Sequence, residues 1–420
     1  MNQIIQPKSA FNEIKDIGVI WVLNEATKLG FYNGNPEWAN LGQGEPEIGE
    51  MKGAPSRIKE FIIEPDDDGY GPLNGMRALR KAIAENYNRL YRKGKASKYT
   101  SDNISIAMGG RLALTRIFSI ITSARLGFKV PEYPAYEDLL NYQLERIIPV
   151  RIHTEKENNY SVLSVEFKKI IKKYTLDVFL FSNPCNPTGH VIKGEELKAY
   201  VKIAREQNCA LIVDEMYSHF IYQNGIPAVS PVSSAEFIED VNSDQVLIVD
   251  GLTKSFRYPG WRLAWIVGPE HVIENLGRAA SGIDGGPSTP VQRAAIQLLE
   301  PWRVDMETQA LRKIFGRKQE MMLNALRENG MICSEDTKST FYVWADISQL
   351  LAPLNNSDYF FKEALKYKVI TVPGHLFDIH PGHEKKDTMF NQYIRFSFGP
   401  AEENLRMGLE RITQLIKSYR

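Results

Sequence analysis

The sequence lacks the features that direct a protein to a membrane or to nucleic acid. Lys plus Arg and Asp plus Glu each number 51, so the chain has no net charge that would attract a polyanion. No apolar run is long enough to span a bilayer, and the first residues do not have the pattern of a signal peptide. We therefore expect a cytoplasmic protein with small-molecule substrates and neither a nucleic-acid nor a membrane partner.

Cysteines and metal-ligand clusters are also scarce. Only Cys185, Cys209 and Cys333 occur in 420 residues, and no CxxC is present. We expect reduced thiols, with Cys209 packed in the core, because three distant cysteines cannot all pair. His380 and His383 flank a Pro-Gly pair, which predicts a loop. No further Cys, His or carboxylate cluster completes a site there, so we expect no metal.

The chain has no internal repeat or low-complexity linker, yet it exceeds what one hydrophobic core usually supports. Between residues 103 and 268, helical patterns alternate with five runs rich in Val, Ile and Leu: NISIAMG, LDVFLFS, ALIVDE, QVLIVDG and RLAWIVG. Continuous apolar runs of this length predict a mostly parallel sheet covered by helices on both faces. The expected fold class is α/β, with a doubly wound large domain of three layers.

The sequence pattern changes after residue 300, where a long charged helical segment precedes short strand-like runs and a last helical segment. This pattern predicts a smaller α+β domain over residues 301–420. We assign residues 46–300 to the large domain, and residues 1–45 to an N-terminal arm and helix that join the small one.

Polar residues follow the predicted strands, at the edge of a parallel sheet where ligands bind. The strands lead into 183–189 (NPCNPTG), 214–217 (DEMY) and 250–254 (DGLTK), and the NISIAM strand leads into a glycine turn at Gly109. With Arg262, these segments place an anion cradle, a carboxylate, a phenol, an amide and an amine along one edge. A phosphorylated aromatic aldehyde requires such a set.

The segments NPCNPTG at 183–189 and TKSFRYPGWR at 253–262 carry a resemblance to a known family. From about Leu41 to the C-terminus, the chain resembles fold-type I enzymes of the class I/II aminotransferase family that use pyridoxal 5′-phosphate (PLP). Aspartate aminotransferase and 1-aminocyclopropane-1-carboxylate synthase belong to this group. The resemblance implies an aspartate aminotransferase-like fold, PLP as cofactor, residues 46–300 as the PLP-binding domain, and a homodimer with composite active sites.

The resemblance also implies roles for individual residues. Lys254 forms the Schiff base with PLP and moves the proton between the substrate Cα and the cofactor. Asp214 keeps the pyridine nitrogen protonated, so that the ring draws electrons from Cα. Tyr217 and Asn186 hydrogen-bond the ring oxygen.

Further residues match the family's phosphate and substrate contacts. The implied phosphate ligands are Arg262, the Thr253 hydroxyl, and the backbone N–H groups of Gly110, Arg111 and Leu112. Tyr133 matches an aromatic ring stacked on the cofactor, with ordinary core packing as the alternative. Tyr70 matches a tyrosine that reaches the other subunit's phosphate. Arg395 matches the clamp for the substrate carboxylate, with Asn186 sharing that contact, and Gly44 lies where the backbone approaches the substrate.

Two positions depart from the family pattern. Gly251 replaces a serine that binds phosphate in many members, and Arg111 stands where Ser, Ala or Thr is usual. The Arg111 guanidinium either compensates at the phosphate or contacts an acidic substrate group. Residues 12–38 and 374–384 are expected to contribute to side-chain specificity, although neither segment shows a readable preference.

Three functions are compatible with these patterns. The leading one is a PLP-dependent aminotransferase that converts an L-amino acid to its 2-oxo acid in a ping-pong cycle. The second keeps PLP but ends as a lyase, cyclase or oxidase of specialised amino-acid metabolism, because the same scaffold supports several reactions. The third is a non-catalytic effector domain of a transcription regulator, which the absence of a basic patch disfavours.

Overall fold

A computed structural model describes residues 18–222, 231–383 and 388–420. Residues 1–17 of the predicted arm and Glu384 of the predicted specificity segment therefore lie outside the described residues. The described strands are β1 (Ala39–Asn40), β2 (Ile104–Ala107), β3 (Ala124–Val130), β4 (Ile147–His153), β5 (Val178–Ser182), β6 (Ala210–Asp214), β7 (Val246–Gly251), β8 (Ala264–Val267), β9 (Ile332–Cys333), β10 (Tyr342–Asp346), β11 (Val369–Ile370), β12 (Val372–Pro373) and β13 (Tyr393–Ser397).

The helices surround two separate sheets. The described α-helices are α1 (Val19–Lys28), α2 (Arg77–Tyr91), α3 (Gly110–Ile120), α4 (Ala135–Asn141), α5 (Ser164–Tyr174), α6 (Gly194–Gln207), α7 (Glu270–Ile283), α8 (Thr289–Ala295), α9 (Pro301–Glu328), α10 (Ser357–Lys366) and α11 (Glu402–Lys417). The larger sheet has the order β2-β8-β7-β6-β5-β3-β4, and the smaller one has the order β12-β13-β10-β9.

The larger sheet is apolar on both faces, as the continuous hydrophobic runs predict. Leu180 and Ile212 belong to one apolar cluster, whereas their chain neighbours Phe179 and Leu211 belong to another. Side chains alternate between the two faces of a strand, so the two clusters lie on opposite sides of the sheet. The three-layer α/β fold is thus confirmed, with the five predicted strands present as β2, β5, β6, β7 and β8.

The sheet differs from the sequence-based expectation in two respects. Strand β8 runs antiparallel to both β2 and β7, so the NISIAMG and RLAWIVG runs form the antiparallel end of the sheet. Strands β3 and β4, which pair in parallel, were not recognised in the sequence. Pro149 and two polar residues, Arg151 and His153, interrupt β4, which is an edge strand and needs no apolar residues on its exposed positions.

The smaller sheet packs with α9, the long charged helix recognised in the sequence. Strand β10 pairs antiparallel with β13, which brings Trp344 opposite Arg395. A separate pair joins the start of the chain to this region, since Ala39 of β1 pairs with Val369 of β11.

Other expectations concern thiols and membranes. Cys185, Cys209 and Cys333 are all buried and free, and Cys209 packs within an apolar cluster as predicted. Among the described residues, none of the helices combines the length and apolar character that crossing a membrane requires.

Candidate active site

A cavity of about 600 Å³ lies at the carboxyl ends of β5, β6 and β7. The predicted site residues that line it are Gly44, Gly110, Arg111, Tyr133, Asn186, Asp214, Tyr217, Thr253, Lys254, Arg262 and Arg395. Leu112 lies one residue further along α3 and is not part of the lining. Tyr70 is fully exposed outside the cavity. Residues from two sheets and from widely separated segments therefore meet where the strand order predicted a ligand.

Lys254 follows β7 and projects into this cavity. Its Nζ donates a hydrogen bond to the Gly44 carbonyl oxygen and lies 6.0 Å from the centre of the Tyr217 ring. Burial lowers the pKa of Lys254 to about 8, against a smaller opposite effect of Glu45. About a tenth of the Lys254 population is therefore an uncharged, nucleophilic amine at pH 7, and this share rises to half near pH 8.

Asp214 ends β6 and is buried on the floor of the cavity. The Tyr136 hydroxyl donates to Asp214 Oδ2 at 2.9 Å, and the Met216 N–H donates to Oδ1 at 3.3 Å. Burial nevertheless raises the pKa of Asp214 to about 6. A carboxylate in this setting favours a cationic partner in the cavity, such as a protonated pyridine nitrogen.

An anion cradle forms where α3 meets Arg262. Gly109 precedes the helix with a φ of 90°, and a Cβ atom there would lie 2.3 Å from Arg262 Nη2. Only glycine lets the guanidinium approach this helix start so closely. Arg262 Nη1 donates to the Pro259 carbonyl oxygen at 3.1 Å. The guanidinium and the free N–H groups of the helix terminus together suit a phosphate.

The structure explains the departure at Gly251. A Cβ atom at this position would lie 2.7 Å from both Ala264 Cα and the Leu263 carbonyl oxygen, because β7 and β8 pair closely here. A serine has no room, so this chain takes no phosphate hydroxyl from position 251. Arg111 lies in the cavity wall, where Nε and Nη2 are each 3.4 Å from the Tyr133 hydroxyl.

Arg395 of β13 forms the opposite side of the cavity and is almost fully buried. Its Nη1 donates to Asn186 Oδ1 at 3.0 Å, and its Nη2 donates to the Gly42 carbonyl oxygen at 2.8 Å. The guanidinium lies 4.1 Å from the centre of the Tyr342 ring. Nε is buried and has no hydrogen-bond partner within the described residues. A buried guanidinium whose neighbours are neutral is suited to a carboxylate ligand.

Two functional residues were missed in the sequence: Tyr342, which lines the cavity, and Tyr136, which contacts Asp214 from outside the lining. The Tyr342 hydroxyl lies 2.9 Å from the Tyr217 hydroxyl, and Tyr136 holds Asp214 as described above. Burial raises the pKa of Tyr217 well above its usual value, so the phenol remains a proton donor. Tyr136 follows Tyr133 at helical spacing, which was an available signal, whereas nothing local marks Tyr342.

Helix α1 supplies an apolar wall that the sequence indicated only as a general region. Val19, Ile20 and Leu23 line the cavity together with Phe31, which follows the helix. All four lie within residues 12–38, the segment expected to contribute to specificity. In the other such segment, Phe377 contacts Arg395, with 5.1 Å between the guanidinium and the ring centre.

Two more carboxyl groups lie behind Asp214. Glu215 Oε1 accepts the Ser234 N–H at 2.7 Å, and Asp250 Oδ1 accepts the Gly251 N–H at 2.7 Å. Burial raises the pKa of Glu215 to about 7 and that of Asp250 well above its usual value. Burial thus favours the protonated form of both groups.

The residues around the cavity fit PLP. The cradle at Gly109 and Arg262 matches a phosphate, Asp214 matches a pyridinium nitrogen, and Lys254 provides an uncharged amine for the aldehyde. The pKa shifts of Asp214 and Lys254 arise from burial in the protein itself, before any ligand is added.

Comparison with known proteins points to one family. The model of the family described as aminotransferase class I and II matches residues 36–412. The chain is 28% identical to the aspartate aminotransferase of Pyrococcus abyssi, over 90% of this chain and 91% of that protein. It is 26% identical to aromatic-amino-acid aminotransferase 2 of Thermococcus litoralis, with the same two coverages.

Solved structures show the same fold. Aspartate aminotransferase from Thermus thermophilus with maleate superposes with a TM-score of 0.77 at 23% identity, covering 96% of this chain and 97% of that one. The aromatic aminotransferase of Pyrococcus horikoshii gives a TM-score of 0.74 at 23% identity, covering 94% and 99%.

Proposed function

The chain belongs to the aminotransferase class I and II family, and from this premise we propose that the cavity around Lys254 is its active site. The protein is a PLP-dependent aminotransferase that acts on an amino acid and a 2-oxo acid. The observation that carries the assignment of the site is the meeting of Lys254, Asp214 and Arg395 in one cavity, although three different strands supply them.

Lys254 is the proposed proton carrier. PLP, when bound, withdraws electrons from the substrate Cα and so makes its proton acidic. Lys254 Nζ is uncharged above its pKa of about 8 and takes the Cα proton. The Gly44 carbonyl oxygen, which accepts a hydrogen bond from Nζ, orients the amine. Tyr217 stays protonated and shares a hydrogen bond with the Tyr342 hydroxyl.

Asp214 and Arg395 are the proposed fixed charges of the site. Asp214, held by the Tyr136 hydroxyl, pairs with the pyridine nitrogen and keeps it protonated. Arg395 binds the substrate carboxylate, and its bonds to Asn186 and Gly42 fix the plane of the guanidinium before substrate arrives. The remaining roles stay as predicted from the family: Gly110, Arg111, Leu112, Thr253 and Arg262 for phosphate, Tyr133 for stacking, Asn186 for the ring oxygen, and Gly44 for substrate.

The lyase, cyclase or oxidase alternative is not supported, because the similar proteins are aminotransferases. The family assignment likewise establishes an enzyme and removes the non-catalytic alternative. Since Gly251 is explained by strand packing, it no longer argues for a different reaction outcome.

Borohydride trapping followed by peptide mass analysis tests the site directly. We expect reduction to fix PLP on Lys254 in the wild type and on no lysine in Lys254→Ala. Lys198→Ala, which removes an exposed lysine, is the matched control and should behave as the wild type. Purified enzyme should also convert 2-oxo acids to amino acids with aspartate or an aromatic donor. Trapping on another lysine would contradict the proposed site.

We further propose a homodimer with composite active sites. Tyr70 is fully exposed, and the segment before it exposes Phe61, Ile62 and Ile63. Contiguous exposed apolar side chains are typical of an interface. Mixing inactive Tyr70→Ala and Lys254→Ala subunits should restore part of the activity, since one of the two sites in a mixed dimer is then intact. A monomer in light scattering, or no restored activity, would contradict this proposal.

The division into domains and the location of the protein also remain proposals. Every strand of the larger sheet lies within residues 46–300, and the smaller sheet lies within 301–420, which supports the predicted boundaries. The pairing of β1 with β11 supports an arm at 1–45 that joins the small domain. Hydrogen exchange of the full chain should show two groups of amides that open separately. The three unpaired cysteines support a cytoplasmic location, which cell fractionation would test.

A further inference from the structure

A buried cluster of Lys129, Glu132 and Cys185 lies beside the loop that carries Asn186. Lys129 Nζ is 3.0 Å from Glu132 Oε1 and donates to Cys185 Sγ at 3.1 Å and to the Pro131 carbonyl oxygen at 3.2 Å. The three protons of the ammonium group thus have three acceptors. Lys129 is 2% exposed, Cys185 is 3% exposed and Glu132 is fully buried. No step of amino transfer described above uses these groups.

Cys185 differs from the other two thiols in its surroundings. Burial raises the pKa of Cys209 and of Cys333 to about 12, so these two remain protonated and unreactive. Cys185 instead accepts a hydrogen bond from the Lys129 ammonium group at 3.1 Å. The thiolate is the reactive form of a cysteine, and this sulfur lies directly beside the nitrogen that it would join.

We propose that Cys185 and Lys129 form a modification site, at which hydrogen peroxide joins Cys185 Sγ to Lys129 Nζ in a reversible S–N bond. In the first step, the thiolate attacks one peroxide oxygen and the O–O bond breaks. The departing hydroxide takes a proton from the Lys129 ammonium and leaves as water. Sulfur is oxidised by two electrons to a sulfenic acid, and Lys129 is left as a neutral amine.

The second step closes the link. Lys129 Nζ attacks the sulfur, and the S–O bond breaks. Glu132 takes one proton from the nitrogen and passes it to the departing hydroxide, which leaves as a second water. One thiolate, one ammonium and one peroxide thus give one S–N bond and two waters. Burial disfavours the charge on Lys129, whereas the thiolate and Glu132 raise its pKa. Oxidation removes the thiolate charge and so favours the neutral amine that the step needs.

The S–N bond between Cys185 and Lys129 would restrain the loop that carries Asn186. The Cys185 N–H donates to the His190 carbonyl oxygen at 2.9 Å, and the Gly189 N–H donates to the Cys185 carbonyl oxygen at 2.9 Å, which holds the loop closed. A bond from Cys185 to Lys129 ties this loop to the end of β3. It also occupies the sulfur, which would otherwise continue to the irreversible sulfinic acid.

The test uses holoenzyme carrying Cys209→Ser and Cys333→Ser, so that Cys185 is the single thiol. After hydrogen peroxide treatment, we expect the intact mass to fall by two hydrogen atoms. We also expect the peptides that contain residues 129 and 185 to be joined, and a thiol reductant to separate them. A gain of oxygen atoms at Cys185 without a joined peptide would overturn the proposal, as would an unchanged Cys185.

Two further variants separate the chemistry from the fold. Cys185→Ser should give no joined peptide and no mass loss. Lys129→Met keeps the thiol but removes the amine, so we expect no joined peptide and no loss of two hydrogen atoms, and oxidation of Cys185 in this variant should only add oxygen. If Lys129→Met does not fold, the presence or absence of the joined peptide in the double cysteine variant still tests the proposal, because that variant keeps Lys129, Glu132 and Cys185. Equal oxidation to sulfinic acid with and without Lys129 would refute the protective role.

Discussion

The two ends of the cavity differ in how far apart in the sequence their residues lie and in how many sheets supply them. At the proposed cofactor end, Gly109, Asp214, Lys254 and Arg262 all come from the ends of strands in one sheet, or from the turns that follow them. At the proposed substrate end, Arg395 belongs to the smaller sheet and lines the same cavity as α1, which lies more than 360 residues earlier. The cofactor end therefore depends on the local geometry of one sheet, whereas the substrate end depends on how separate segments pack.

The largest expected effect comes from the cofactor end. Lys254→Ala removes the proposed base, and a positioned base contributes about 10²- to 10⁴-fold to a rate. We expect single-turnover amino transfer to slow by at least that factor, as measured by rapid mixing with an amino donor. Arg395 and the substrate end should be unaffected, so the variant should still bind the carboxylate of an amino-acid or 2-oxo-acid ligand. Retention of wild-type turnover would show that another group carries the proton.

The substrate end should respond to Arg395→Ala. Truncating one partner of a buried charged pair costs about 2–5 kcal/mol. We expect kcat/KM to fall accordingly. The affinity for PLP should stay within about twofold of the wild-type value, because substitutions at separate sites have nearly independent effects. Arg317→Ala, which removes an exposed arginine of α9, is the matched control. If Arg395→Ala weakens PLP as strongly as substrate, the two ends are not independent.

The pH dependence of PLP binding should contain a contribution from Asp214 that persists when Lys254 is removed. Burial raises the pKa of Asp214 to about 6, so the carboxylate is charged above that pH and neutral below it. In Lys254→Ala, noncovalent PLP affinity should fall by about tenfold per pH unit below about 6. Lys254→Ala/Asp214→Asn should bind PLP weakly and with a shallower pH dependence, because only the phosphate, whose second pKa is about 6, still titrates in this range. A pH dependence as steep as that of Lys254→Ala would show that Asp214 does not contribute to it.

The smallest expected effect concerns the contact between the two ends. Tyr342→Phe removes the hydrogen bond to Tyr217 and leaves the aromatic ring beside Arg395. A neutral hydrogen bond contributes about 0.5–1.5 kcal/mol, so we expect a change of about two- to tenfold in kcat/KM. Tyr359→Phe, which removes a part-buried hydroxyl contact far from the cavity, is the control. Equal effects of the two variants would indicate a general loss of stability.

The sequence placed the residues of the proposed cofactor end at one edge of the sheet, for a physical reason. Strands β5, β6 and β7 are buried on both faces, so their apolar runs are conspicuous, and the polar residues after them must lie at one edge. Strand β3 escaped notice because Lys129 breaks its apolar pattern. The structure shows that this lysine is tolerated there because Glu132 and Cys185 satisfy its charge.

The substrate end was harder to predict, because its contacts depend on packing. Tyr217 and Tyr342 are 125 residues apart, and no local pattern indicates that their hydroxyl groups meet. In the sequence, the residues of α1 that form the apolar wall have the pattern of an ordinary amphipathic helix. Gly251 appeared to be a departure near the phosphate, yet the reason for it is the close approach of β8, which only the paired strands reveal.

The hydrogen bond between Arg395 and Asn186 has a consequence for protein engineering. Asn186 follows a strand of the larger sheet and Arg395 lies within the smaller one. The geometry of this hydrogen bond therefore depends on the distance between the two sheets. If Arg395 binds the substrate as proposed, we expect substitutions under α9 or α11 that shift the smaller sheet to change substrate preference while every cavity residue keeps its identity. Libraries for altered selectivity should therefore sample these remote packing positions as well as the cavity wall.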